Sequence, residues 1–166
     1  DRTGTVTYRS DKIEGPTAWT ETARGGGVTP FDSPVPTRAE IHSPALLVYP
    51  HKIRANIARA LDIAGGPARL RPHVKTHKTA EIVRMMLDAG IGKFKCATIA
   101  EAEMLAEAGA HDVLLAYQPA GPNLRRFAAL CAAHPGVDFS TIFDNAGTAR
   151  DLSAALSSAH QQAGLF

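Results

Sequence analysis

From Ser43 onward, apolar and polar positions alternate between two rhythms, and before it they follow none. Ala45 to Tyr49 is a short apolar run of strand length, and Pro50 opens a helix after it. In that helix Ile53, Ile57, Leu61 and Ala64 recur at helical spacing until Gly65-Gly66 stop it. Ala68 to Lys75 then reads as a strand and Thr79 to Ala89 as a helix, with Ile82, Val83, Met86 and Leu87 on one side. Lys93 to Thr98 is a strand. Thr98 and Glu101 have capping-box spacing and start a helix through Ala108, closed by Gly109. Asp112 to Tyr117 is a strand, Pro122 to Ala133 a helix, Val137 to Phe143 a strand, and Gly147 to about Ala163 a last helix.

Strand-then-helix units in succession predict a parallel sheet with crossover helices. Two architectures fit, an open doubly wound sheet or a (β/α)8 barrel. A barrel needs roughly 250 residues, so length alone favours the open sheet. The glycine-rich phosphate loop usual for that fold follows none of the strands. Residues 1–42 hold Gly25 to Gly27 and four prolines and read as an irregular tail. The glycine run is a linker, since no strand precedes it. The organised part is residues 43–166.

Composition changes this picture little. A chain of 166 residues that is 45% hydrophobic with a formal charge of +2 is an ordinary globular one, about one domain long. The basic residues are scattered, which argues against a nucleic-acid partner. No apolar run is long enough to span a membrane, and the first residues, DRTGTVTYRS, carry no secretory signal. Cys96 and Cys131 have no paired spacing, so a reducing, cytoplasmic compartment is expected rather than a disulfide or structural zinc framework.

The candidate chemistry lies in RPHVKTHK, Arg71 to Lys78. On a strand, Arg71, His73, Lys75 and His77 share one face, and Lys78 falls past the strand end on the other parity. Active sites of α/β folds gather at the carboxyl ends of parallel strands. The run also reads as a solvated basic loop. The sharper reading is a Schiff-base lysine at Lys75, because an amine crowded by cations or partly desolvated is the better nucleophile toward an aldehyde. The surrounding positive charge also suits a phosphate or carboxylate. His73 and His77 as metal ligands are disfavoured, since four strand residues separate them by about 13 Å.

Together, SPALLVYPHKIRANIARAL, RPHVKTHK, ATIAEAEML, LLAYQPAGPN and DNAGTARDLSAA resemble, in this order, the N-terminal half of the D-threonine aldolase / D-serine dehydratase family. These are alanine racemase-like pyridoxal-phosphate enzymes of fold type III. The resemblance covers about residues 43 to 163 and implies that the fold is the N-terminal portion of an alanine racemase-like (β/α)8 TIM barrel, truncated here. It implies that Lys75 carries pyridoxal 5'-phosphate and that Arg71, His73 and His77 line the cofactor site, with Lys78 also matching the motif. It implies lyase activity on small D-3-hydroxy amino acids, of the D-threonine aldolase type giving glycine and an aldehyde. The alternative is the D-serine dehydratase type giving pyruvate and ammonia. From another class, the chain would be a non-catalytic pyridoxal-phosphate-binding protein or an inactive fragment. Alanine racemase itself is disfavoured, because THKTAEI lacks the tyrosine-containing segment at its strand end.

The family further implies a divalent metal, whose ligands have no counterpart in this sequence, and a homodimer for a full-length form. After residue 134 the chain has one histidine, His160, inside the predicted last helix. Half a barrel would leave two open strand edges and an unfilled interior, and poor stability alone is expected. Gln118, Asn123 and Asn145 fall near strand ends as loop or capping residues. Asp144 reads as a helix-start signal, Cys96 as a buried small hydrophobe and Met85-Met86 as core.

Overall fold

The sheet is built from strands taken in chain order. The computed structural model describes His42, residues 44–159 and residues 161–165. The expected tail and linker over residues 1–41, Ser43 and His160 lie outside the described residues. The chain divides at residue 50 into two units. In the first, residues 45–49 are not a strand, and Leu46 and Leu47 are 61% and 44% exposed. A run of apolar residues becomes a strand only when its backbone groups find a ladder.

From the boundary residue onward the elements run α1 (Pro50–Ala64), α2 (Ala80–Asp88), β1 (Lys93–Cys96), α3 (Ile99–Glu107), β2 (Asp112–Leu115), α4 (Pro122–Ala133), β3 (Asp138–Thr141), α5 (Ala146–Ser158) and β4 (Gly164–Leu165). The helices begin and end where their signals stand. Thr98 Oγ1 accepts the Glu101 backbone N–H at 3.1 Å, and Gly109 at φ 100 closes α3. Asn145 caps α5 by accepting the Thr148 N–H at 2.9 Å, so the cap is Asn145 and not Asp144.

The sheet is parallel throughout, in the order β1-β2-β3-β4. A doubly wound sheet reverses its strand order at a switch point, and this one does not. One face is the core. Phe94, Cys96, Val113, Leu115, Phe139 and Thr141 point into it and are at most 4% exposed. Leu105 from α3, Phe127 from α4 and Leu152 from α5 meet them there. Phe127 packs edge-on against Phe139, with ring centroids 6.2 Å apart. The opposite face carries Lys95, Leu114, Ser140 and Gly164 in one row across the strands.

Two expectations are corrected. The last helix ends at Ser158 rather than near Ala163, and Gly164-Leu165 form an additional strand beside β3. Residues 68–75 are not a strand either. Pro67–Arg69 and Val74–Thr76 are 3-10 turns, and between them His73 makes one parallel bridge to Lys95 while Pro72 O accepts the Lys95 N–H at 2.9 Å. Pro72 has no N–H to give a ladder, so the segment contributes a stub at the β1 edge and then turns.

Candidate active site

The stub runs parallel to β1, so Lys75, two residues beyond the His73 bridge, lies at the carboxyl ends of the strands. A tight turn sets the conformation immediately after His73. Val74 is fully buried, and its carbonyl accepts both the His77 and the Lys78 N–H, at 3.1 and 2.8 Å. The turn leaves Lys75 and Thr76 exposed and His77 half-buried. The shared face expected for Arg71, His73, Lys75 and His77 is therefore not present: a turn of three residues has replaced the two-residue strand period. The strand spacing used against a paired histidine metal site falls with it. Among the described residues, no group of three His, Cys, Asp or Glu side chains stands together to hold a metal ion.

Each residue of RPHVKTHK has its own setting. The Arg71 guanidinium reaches Asp112, the first residue of β2, so it is engaged at the amino ends of the strands. It lines, with Asp112, Asp138, Ser140, Gln161 and Gly164, an open cleft of about 630 Å³ that does not include Lys75. His73 Nδ1 accepts the Lys75 backbone N–H at 3.3 Å. Partial burial, then the charges of Lys75 and Lys95, push His73 below its ordinary value. His77 Nδ1 accepts the Thr79 N–H at 3.1 Å, which places the proton of the neutral ring on Nε2. That Nε2 is buried without a hydrogen-bond partner, and burial lowers the His77 pKa.

Lys75 has no carboxylate partner among the described residues, whereas Lys78 has one. Lys78 Nζ is 3.3 Å from Glu101 Oε1. Lys78 is also the one non-glycine residue at positive φ among those described, at 48°. Glu101 is 5% exposed, and its Oε2 accepts the Ala97 N–H at 2.8 Å. Sequence reasoning placed Glu101 only as a helix-capping residue. The signal for more was its spacing from Thr98, but nothing local announces that α3 begins beneath the turn.

Neighbouring loops are tied at the same ends of the strands. Gln118 Oε1 accepts the Asp144 N–H at 2.8 Å while its Nε2 donates to Thr148 Oγ1 at 3.1 Å, joining the loop after β2 to the start of α5. Asn123 is exposed on the first turn of α4. Cys96 is buried as expected, and burial followed by the Glu101 charge pushes its thiol up to about 12.

Comparison with known proteins bears on the family and the fold. Residues 48–165 match the family described as alanine racemase, N-terminal domain. The D-threo-3-hydroxyaspartate dehydratase of Delftia sp. (strain HT23) is 32% identical over 121 residues, covering 71% of this chain and 31% of that protein. The crystal structure of D-threonine aldolase from Filomicrobium marinum superposes with a TM-score of 0.69 at 28% identity, over 78% of this chain and 35% of that one. An alanine racemase-like protein from Idiomarina loihiensis gives a TM-score of 0.59 at 31% identity, over 70% of this chain and 31% of that one. This chain thus spans about a third of the length of the relatives it matches. Its sequentially ordered parallel sheet is the N-terminal portion of an alanine racemase-like barrel.

Proposed function

This chain belongs to the alanine racemase N-terminal domain family, and on that premise we propose that it supplies the aldehyde-binding lysine of a pyridoxal-phosphate-dependent lyase acting on D-3-hydroxy amino acids. Lys75 is that lysine. One observation carries the reading: Lys75 stands exposed at the carboxyl ends of the strands with no carboxylate partner among the described residues, and its charge, with that of Lys95, bears on the His73 imidazole. An unpaired amine suits the aldehyde of pyridoxal phosphate, and the positive surroundings suit its phosphate.

When bound, the cofactor supplies an electron sink for bond breaking at the amino-acid Cα. The chain's own residues do the rest. Lys75 Nζ would hold the cofactor and would be the amine placed to move a proton at the reacting end. His73, whose pKa is lowered by burial and then by its cationic neighbours, accepts the Lys75 backbone N–H through Nδ1 and so fixes that backbone. The Nε2–H of His77 is buried and has no hydrogen-bond partner among the described residues. Arg71 holds the stub through Asp112 and is the supporting residue of the set. The described residues hold no donor set for a divalent metal, so no step is drawn through one.

The aldolase reading, giving glycine and an aldehyde, follows the D-threonine aldolase likeness. Dehydration is the second reading, and the dehydratase relative favours it. The test is to add pyridoxal phosphate to the purified chain, reduce with borohydride and map the labelled peptide, then assay D-threonine and D-threo-3-hydroxyaspartate. Label on Lys75 with release of glycine supports the first reading, and release of an oxo acid and ammonia the second. Label on Lys75 without turnover leaves a cofactor-binding protein. Indiscriminate labelling of surface lysines removes the proposal.

A further inference from the structure

We propose that Glu101 is the positioning residue that gives the two lysines of KTHK different tasks, engaging Lys78 and leaving Lys75 as the amine that meets aldehydes. The inference deepens the reading of Lys75 above and rests on it for its biological meaning, but its physical content stands on three observations. Glu101 is a carboxylate buried to 5% exposure, which is rare without a purpose for its charge. Its two oxygens are divided. Oε2 accepts the Ala97 N–H at 2.8 Å, and Oε1 has no hydrogen-bond partner and only the ammonium of Lys78 at 3.3 Å. Leaving such an oxygen without its cation would strand a buried charge.

The second observation is the backbone of Lys78. Its φ of 48° is costly for a side chain with a Cβ and persists where surrounding bonds hold it. The bonds here are its N–H to Val74 O at 2.8 Å and the ion pair to Glu101. The left-handed residue turns the chain so that the ammonium of Lys78, on a side chain 63% exposed, meets the start of α3, while Lys75, three residues earlier and also exposed, meets no carboxylate among the described residues. The third observation is that Glu101 acts on the whole motif: its charge bears on His73, His77 and Cys96 as well. It is the common acidic neighbour under the turn.

The chemical consequence comes from how amines meet aldehydes. The nitrogen lone pair forms the new bond to the carbonyl carbon, and the carbonyl oxygen leaves as water with both amine hydrogens, giving C=N. An ammonium held against a carboxylate does not present that lone pair. Lys78 is thereby occupied, and Lys75 is not.

The test uses formaldehyde and cyanoborohydride at limiting reagent on the purified chain, with peptide mapping of Lys75 and Lys78. It needs no pyridoxal phosphate. Wild type is expected to alkylate Lys75 about threefold to fivefold faster than Lys78, the discrimination an ion pair with one exposed partner can give. Glu101→Gln keeps an acceptor for Ala97 and removes the charge; the ratio is expected to fall to about parity with the circular dichroism unchanged. Glu101→Asp is expected to restore part of it. Should Glu101→Gln fail to fold, wild type in 1 M salt replaces it, where screening within about 3 Å is expected to lower the ratio. Equal rates in wild type, or a ratio that ignores both the substitution and salt, overturn the proposal. If the ratio behaves as expected but pyridoxal phosphate does not label Lys75, the assignment of Glu101 stands and the proposed function falls.

Discussion

Arg71 and Asp112, forty-one positions apart, are joined by two parallel hydrogen bonds of 2.6 and 2.8 Å that cross over β1. On the way, Arg71 Nη1 also donates to the Phe94 carbonyl at 3.3 Å. Arg71 thus fastens the stub that carries the lysine turn to the second strand of the sheet. Both side chains are less than a third exposed, and the geometry is the bidentate fork that guanidinium and carboxylate favour. Arg71→Ala and Asp112→Asn are each expected to cost about 2 kcal/mol in urea unfolding. The double variant is expected to cost less than the sum, because the two positions are coupled. Additive losses would show that the fork holds nothing together.

Lys75 is exposed, so Lys75→Ala is expected to change stability by no more than about 0.5 kcal/mol. The same variant is expected to abolish the borohydride-fixed pyridoxal-phosphate label at this site. A large loss of stability would mean that Lys75 is part of the scaffold, contrary to its assignment.

His73 and His77 both have folded pKa values below the ordinary 6.5, each mainly through burial. Below about 6.5 the unfolded chain binds protons that the folded chain refuses, so stability rises with pH in this window and is lost as pH falls through it. The urea midpoint is expected to drop between about pH 7 and pH 5. In His77→Gln that slope is expected to become shallower. An unchanged slope would place the titration elsewhere.

Cys96 and Cys131 are free and buried, with thiols pushed up to about 12 and about 11. Neither is expected to react with a thiol reagent at about pH 8 in the folded chain, and both are expected to react once it unfolds, since the thiolate is the reactive form. Reaction of Cys96 without unfolding would show that the β1 and α3 junction opens locally.

The hydrophobic rhythm alone determined most of the elements. Five helices and three of the strands among the described residues stand within a few residues of where periodicity, Pro50, Pro122, Gly65 and Gly109 place them, because caps and core stripes act over one turn or one pleat. The order of the motifs carried the barrel assignment against the argument from length. Rhythm failed where a strand needs a partner. Residues 45–49 and 68–75 have strand composition, but a strand exists only through its ladder, and the sequence does not say where a ladder is available. Gly164-Leu165 shows the converse: two unremarkable residues become a strand because β3 offers them an edge.

The site divides in the same way. RPHVKTHK pointed to Lys75, yet the strand face that Lys75 was expected to share with Arg71, His73 and His77 is replaced by a 3-10 turn. Which lysine is free is decided by Glu101, and where Arg71 goes is decided by Asp112, across separations of 23 and 41 residues. Local sequence determines conformations that a residue and its near neighbours settle among themselves. Ion pairs between distant segments exist only after the sheet has brought α3 beneath the turn and β2 beside the stub, and so the pairing of Lys78 with Glu101 and of Arg71 with Asp112 belongs to the tertiary structure.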